Sequence, residues 1–261
     1  MKCCICGAVK NVGQYLDKIF ENIEKIGSLF EDYVILLYYD ASDDDTLQKM
    51  KEYQQKNNKL CFYINNNKVS KYRTHRIANA RNWCLHQIKQ KYTDWDFFIM
   101  IDCDDVCSQP IKLPILHQYL NRNDWDSLSF NKSHYYDIWA LSIRPYIFSF
   151  AHFDPQPVEN MINYITNKLK RLPNNSLLKC ASAFNGFAIY RINKFLNCKY
   201  DGRPRFDLIP KNLLLETIRQ NKSRITNKRC SMNEDCEHRS FHLEAIKKNN
   251  ARIRISPEII F

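Results

Sequence analysis

The chain has 261 residues, of which 44% are apolar and 13% aromatic, enough to bury the core of one large α/β domain and too apolar for wholesale disorder. Its formal net charge is +11, from 39 basic against 28 acidic residues. That balance suits a partner carrying phosphates, but the basic residues are spread through 168–229 and 247–254 rather than gathered in one arm, which argues against a nucleic-acid-binding role. No stretch approaches the eighteen or more apolar residues of a membrane span and no cleavable leader is visible, so a soluble, cytoplasmic protein is expected. The odd count of 11 cysteines, set mostly in apolar segments, reads as reduced core thiols rather than a disulfide framework. Cys3-x-x-Cys6 has zinc-like spacing but no second pair, and is read as core.

Taken in order, Cys3 to Val9 is a first strand. Asn11 and Gly13 turn the chain into an amphipathic helix with Leu16, Ile19, Phe20 and Ile23 on its apolar side. Asp32 to Tyr39 is a second strand, running into Asp40-Ala-Ser-Asp-Asp-Asp45, which caps a helix over 46–56. Leu60 to Ile64 completes a β-α-β-α-β opening of the nucleotide-binding kind. It lacks G-x-G-x-x-G and a Gly-rich loop with Lys-Ser/Thr, which excludes the dinucleotide fingerprint and the P-loop.

The stretch from Tyr72 to Leu85 enters a helix that runs to about Lys91 and carries Arg76 and Arg81, five apart and so roughly 140° around the axis. Arg81 sits among Ala78, Ala80 and Leu85, where an arginine needs a fixed anionic partner. Phe97 to Ile101 is an unbroken apolar run, expected to be a strand covered on both faces, and it ends in Asp102-Cys-Asp-Asp105. Carboxylates at Asp102, Asp104 and Asp105 repel one another in a dry pocket, and the D-x-D spacing suits one hard divalent ion, which in turn can hold phosphates.

A helix follows to Leu120, then a strand at Trp125–Phe130. Segment 131–160, with Tyr135, Tyr136, Trp139, Tyr146, Phe148, Phe150 and Phe153, is aromatic and poorly periodic, fit for binding sugars or bases or for packing on a sheet. A helix is expected over 157–171 and one strand from Lys179 to Arg191, whose Asn185-Gly186 marks a close approach of backbone to ligand or neighbour. Last, Glu234, Asp235 and Glu237 precede a basic helix at 244–250. His238 and His242, one helical turn apart, could complete a metal site begun by Asp102 and Asp104.

In this order and spacing the motifs resemble a nucleotide-sugar glycosyltransferase of the GT-A type, close to small viral and fungal transferases related to capsule mannosyltransferases. The resemblance covers about residues 3–242. It implies an α/β fold in a single compact domain, with a mixed, mainly parallel sheet flanked by helices. Residues 1–105 would form the nucleotide-sugar-binding half, and 106–261 the acceptor half with its closing segment. It places Asp40 and Asp43 at the base or ribose, Arg81 with Arg76 at the diphosphate, and Asp102 and Asp104 on an Mn²⁺ or Mg²⁺ ion. Asn185 and Gly186 fall on the acceptor-side strand, and the 234–242 block closes the site.

The donor implied is a nucleoside-diphosphate sugar, and the acceptor a hydroxyl of a glycan, glycoprotein or glycolipid. An inverting route needs a carboxylate base, for which Asp235 and Glu237 are the candidates; a retaining route needs none, and a late metal-ligating His favours it. The alternatives are a nucleotidyltransferase, whose Gly-rich, Lys-containing first loop is missing, and a basic nucleic-acid-binding protein. A peripheral membrane contact through the basic C-terminal third is compatible with the charge.

Overall fold

In the computed structural model, which describes residues 1–67, 70–144, 146, 155–221 and 233–261, the chain builds on one eight-stranded sheet. Strand β1 (Lys2–Val9) leads through helix α1 (Gly13–Gly27) to β2 (Asp32–Asp40), then through α2 (Thr46–Lys56) to β3 (Leu60–Asn65). Helix α3 (Arg73–Lys91) returns the chain to β4 (Phe97–Ile101). These four strands are parallel, in the order β3-β2-β1-β4.

A 3₁₀ turn (Asp105–Cys107) and α4 (Leu113–Leu120) precede β5 (Ser127–Asn131). Then come α5 (Pro155–Lys170), β6 (Leu178–Lys179), β7 (Phe187–Arg191), α6 (Ile192–Phe195), α7 (Lys211–Asn221), α8 (Glu237–Asn249) and β8 (Ile253–Ile259). Strand β7 lies antiparallel between β4 and β5, β8 runs parallel to β5, and β6 closes the edge, so the sheet is mixed.

The apolar run of β4 explains why the sheet is covered twice. Phe97, Ile99 and Ile101 face a core layer shared with α1 and α4, while Phe98 and Met100 face a second layer with α3 and α8. All five are buried, and each contributes about 1.5–3 kcal/mol of transfer free energy as an upper estimate. Cys3 falls in the first layer and Cys4 and Cys6 in the second, so the Cys-x-x-Cys pair is core, without a disulfide.

Three expectations need correction. The single strand expected from Lys179 to Arg191 is two short strands, because Asn185 and Gly186 both take left-handed backbone conformations, φ 60° and 90°, that no strand accommodates. The last helix starts at Glu237 rather than 244, so most of the acidic and histidine-bearing block is a buried helix face. A final strand, β8, follows it and pairs with β5. Phe148, Phe150, Phe153 and basic residues 222–229 lie outside the described residues. Among the described residues no helix is long and apolar enough to cross a membrane.

Candidate active site

Parallel strands bring their carboxyl ends to one edge of the sheet, where open α/β folds leave a crevice. The loops after β1, β2 and β4 meet there with the first turns of α3. Since β7 is antiparallel to β4, its start comes to the same edge: the Asp102 N–H donates to Gly186 O at 2.8 Å. Strand β5, antiparallel to β7, delivers the loop with Tyr136 and Asp137. Together they enclose a cavity of about 610 Å³, lined among others by Asp40, Arg73, Arg76, Arg81, Asp102, Asp104, Tyr136, Asp137, Trp139, Glu237 and His238. A neighbouring recess of about 390 Å³ shares Lys10, Asp40 and Arg76 with it and adds Asn66, Asn67 and Lys71.

Arg81, only 6% exposed, is the hub. Its Nη2 donates to Asp102 Oδ1 at 3.1 Å, while Nη1 meets Glu237 Oε1 and His238 Nε2. The guanidinium lies over the Phe184 ring, 4.7 Å from its centroid. Burial opposes its charge, but Glu237 and Asp102 outweigh that and keep it protonated. Arg81 thus holds protein carboxylates in place. Arg76, on another side of the helix, spends Nη1 on the carbonyls of Ser70 and Lys71, at 3.0 and 3.1 Å, and faces both cavities.

Asp102 is held from two sides, since Tyr136 OH donates to its Oδ2 at 2.8 Å. Asp104 Oδ1 accepts the Val106 N–H at 3.1 Å, capping the 3₁₀ turn. Burial, and then the charge of Asp102, raise its carboxyl to about 6. Two acids side by side, one of them pushed up by burial and then by the charge of the other, form a set that a hard cation would relieve.

The histidines do not join them. His238 Nε2 faces Arg81, its ring stacks on Phe184 at 3.8 Å, and burial, then Arg81, push its basicity well down. His242 lies outside the cavity, between Ser182 Oγ (3.0 Å) and Tyr190 OH (3.2 Å), and burial lowers its pKa to about 3. Among the described residues no group of three His, Cys, Asp or Glu side chains could hold a metal ion, so the expected set of Asp102, Asp104, His238 and His242 is not assembled. The physical reason is the Arg81 guanidinium lodged against His238.

Of the other expected residues, Glu237 and Asp40 line the cavity and the rest do not. Asp235 does not line the cavity; its Oδ2 accepts from Arg239 Nε at 2.9 Å in a buried ion pair. Glu237 does line it, tied to Arg81, with burial raising its pKa. Asp40 reaches both cavities, bonded to Lys10 Nζ (3.2 Å) and Asn65 Nδ2 (3.0 Å). Asp43 is exposed and lies away from both.

Neither Asn185 nor Gly186 lines the cavity. Asn185 Oδ1 instead accepts the N–H groups of Tyr136 and Asp137, and Gly186 lets the chain pass Val106, where an added Cβ would stand 2.4 Å from Cγ1. Both are positioning residues for the groups beside them. Asp137 is a cavity-lining carboxylate that the sequence pattern did not single out. An acid set inside the aromatic run Tyr135-Tyr136-Asp137-Ile138-Trp139 was the available signal.

A mixed α/β sheet whose carboxyl edge opens on an acid pair, arginines and aromatic rings defines the class of open α/β folds that keep a ligand crevice at the ends of their parallel strands. The match to the Glycosyl transferase family 2 profile over residues 4–192 makes the assignment specific: the chain belongs to that family, with its GT-A fold. No curated protein matches the sequence. Among solved structures it is similar to S. aureus TarS, at 14% identity and a TM-score of 0.52 over 100% of this chain and 36% of that one. TarS 1–349 in complex with UDP gives 14% and 0.51, covering 100% of this chain and 59% of that one. A mannosyltransferase from Pyrobaculum calidifontis, PcManGT, gives 11% and 0.42, over 76% of this chain and 47% of that one. The chain thus spans 36% of TarS and 59% of its 1–349 portion.

Proposed function

We propose that the protein transfers a sugar from a nucleoside-diphosphate sugar to a hydroxyl of a glycan, glycoprotein or glycolipid, with Mn²⁺ or Mg²⁺ held by Asp102 and Asp104. The observation that carries this reading is the acid pair at the end of β4, where Asp104 is raised to about 6 by burial and by Asp102 within a cavity also lined by three arginines. Oxygen donors fit a hard cation, and two carboxylates suffice where phosphate oxygens and water complete the shell, as is usual for Mg²⁺. Bound there, the ion would neutralise charge developing on the departing diphosphate.

The chain's own residues do the rest. Arg81 and Tyr136 hold Asp102 in one orientation. Arg73 and Arg76 add positive charge to the wall. The recess with Asp40, Asn66 and Asn67 offers hydrogen-bonding groups for a ribose or base, and TarS 1–349, of the same fold, is solved with UDP. Tyr136 and Trp139 line the other part of the wall with the ring faces that sugars pack on. In this reading residues 1–105 hold the donor, and the segments after Asp105 meet the acceptor.

The test is thermal unfolding with a panel of UDP- and GDP-sugars, each with and without Mn²⁺. Ligands that bind the folded state raise its melting temperature. Stabilisation by one nucleotide family that requires the metal, and its loss in the double variant Asp102→Ala/Asp104→Ala, is the expected result. A protein that no nucleotide or nucleotide sugar stabilises overturns the reading.

A further inference from the structure

Most of the carboxylates lining the cavity are already engaged. Asp40 is held by Lys10 and Asn65, Asp102 by Arg81 and Tyr136, and Glu237 by Arg81. Asp104, whose Oδ1 accepts one backbone N–H, has no cation paired with it among the described residues, but it belongs to the acid pair that the reading above gives to the metal. Asp137 differs. Its Oδ1 accepts the Ala140 N–H at 3.1 Å and its own N–H is fixed by Asn185 Oδ1 at 3.1 Å. Among the described residues no cation pairs with it and no donor reaches Oδ2. A carboxylate fixed at its backbone, short of partners on one oxygen and lining the cavity is placed to receive a proton.

We propose that Asp137, rather than either acid of the C-terminal block, takes the proton of the acceptor hydroxyl; this rests on the transferase reading above. The acceptor oxygen forms its bond to the sugar C1 as the bond from C1 to the diphosphate oxygen breaks. The electron pair of that bond leaves with the nucleoside diphosphate, and the acceptor proton ends on Asp137. A single displacement of this kind inverts the anomeric configuration. Burial first, and then the charge of Asp102, raise the Asp137 carboxyl to about 7, with Glu237 raising it further and Arg81 opposing. Asp235, by contrast, is consumed by Arg239 and Glu237 by Arg81.

The experiment compares wild-type protein with Asp137→Asn, which keeps an Oδ1 acceptor for Ala140 but has no basicity. Donor binding is read by calorimetry with UDP- and GDP-sugars plus Mn²⁺, turnover by release of nucleoside diphosphate with hydroxyl acceptors, and product configuration by NMR. The expected result is donor affinity within about twofold of wild type, turnover down by about 10²–10⁴-fold, partial rescue by Asp137→Glu, and an inverted product. Turnover by Asp137→Asn within about threefold of wild type, or a product of retained configuration, overturns the assignment and leaves the transferase reading standing. A wild-type protein that binds and turns over none of the sugars overturns both.

Discussion

Asn185 Oδ1 accepts the backbone N–H of Asp137 at 3.1 Å, and the same oxygen accepts that of Tyr136 at the same distance. One buried amide therefore fixes two successive residues of a loop whose side chains both line the cavity. Its Nδ2 donates to Phe130 O at 3.0 Å, anchoring the arrangement to β5. The left-handed φ of 60° at Asn185 belongs to a conformation that asparagine tolerates better than most residues.

Asn185→Ala should strip the acceptor from two loop N–H groups and place a poorer residue at positive φ. The expected cost is about 2–4 kcal/mol in urea unfolding, with turnover falling more than donor affinity. Unchanged unfolding would show the clamp to be dispensable.

Gly186 has φ 90°, and its carbonyl accepts from Asp102 N, so a side chain there must displace Val106 or the acid-bearing turn. Gly186→Ala should lower stability by about 1–3 kcal/mol and weaken metal-dependent nucleotide binding in parallel. Thermal unfolding with and without Mn²⁺-nucleotide reads both effects.

Asp235 and Arg239 form a buried ion pair, and Arg239 also bonds the carbonyls of Trp139 and Leu141 and the Ser142 hydroxyl. Removing the acid breaks a buried ion pair from one side, so Asp235→Ala should cost about 3–5 kcal/mol by denaturant titration. A stable Asp235→Ala protein with abolished turnover would instead mark Asp235 as the base.

For metal-free protein the sign of the Asp104 shift fixes a pH dependence. Its folded carboxyl is raised to about 6 from an ordinary 3.8, so the folded state holds that proton more tightly than the unfolded state. This contribution to stability is complete below about pH 4 and is lost as pH rises through about 6. A divalent cation competes for the same carboxylate, so Mn²⁺ affinity should strengthen from pH 5 to 7, and Asp104→Asn should flatten that profile. Calorimetric titration at several pH values measures it.

Much of the architecture was legible from local pattern. The apolar run Phe97 to Ile101 announces a doubly covered strand because a strand between two helical layers has no polar face to show. The alternation of strands and amphipathic helices from Lys2 to Ile101 marks the parallel half in the same way. Asp102 and Asp104 could be placed at a strand's carboxyl end by position alone, and the buried character of Arg81 by its small and apolar neighbours.

The rest depends on contacts between residues far apart in the chain. That Arg81 answers to Glu237 and His238 rather than to a ligand alone is settled by a helix that starts 156 residues later, and no spacing rule predicts it. The same guanidinium stands between His238 and Asp102, which the helical spacing of His238 and His242 had suggested could share a metal. The break of β7 at Asn185-Gly186, and the clamp it sets on Asp137, follow from antiparallel pairing of β7 with β4 and β5. Local sequence by itself determined the layers and the strand that carries the acids, because burial periodicity is a short-range property. Only the tertiary structure decided which cavity carboxylates are paired with an arginine or lysine, because charge pairing depends on distance in space.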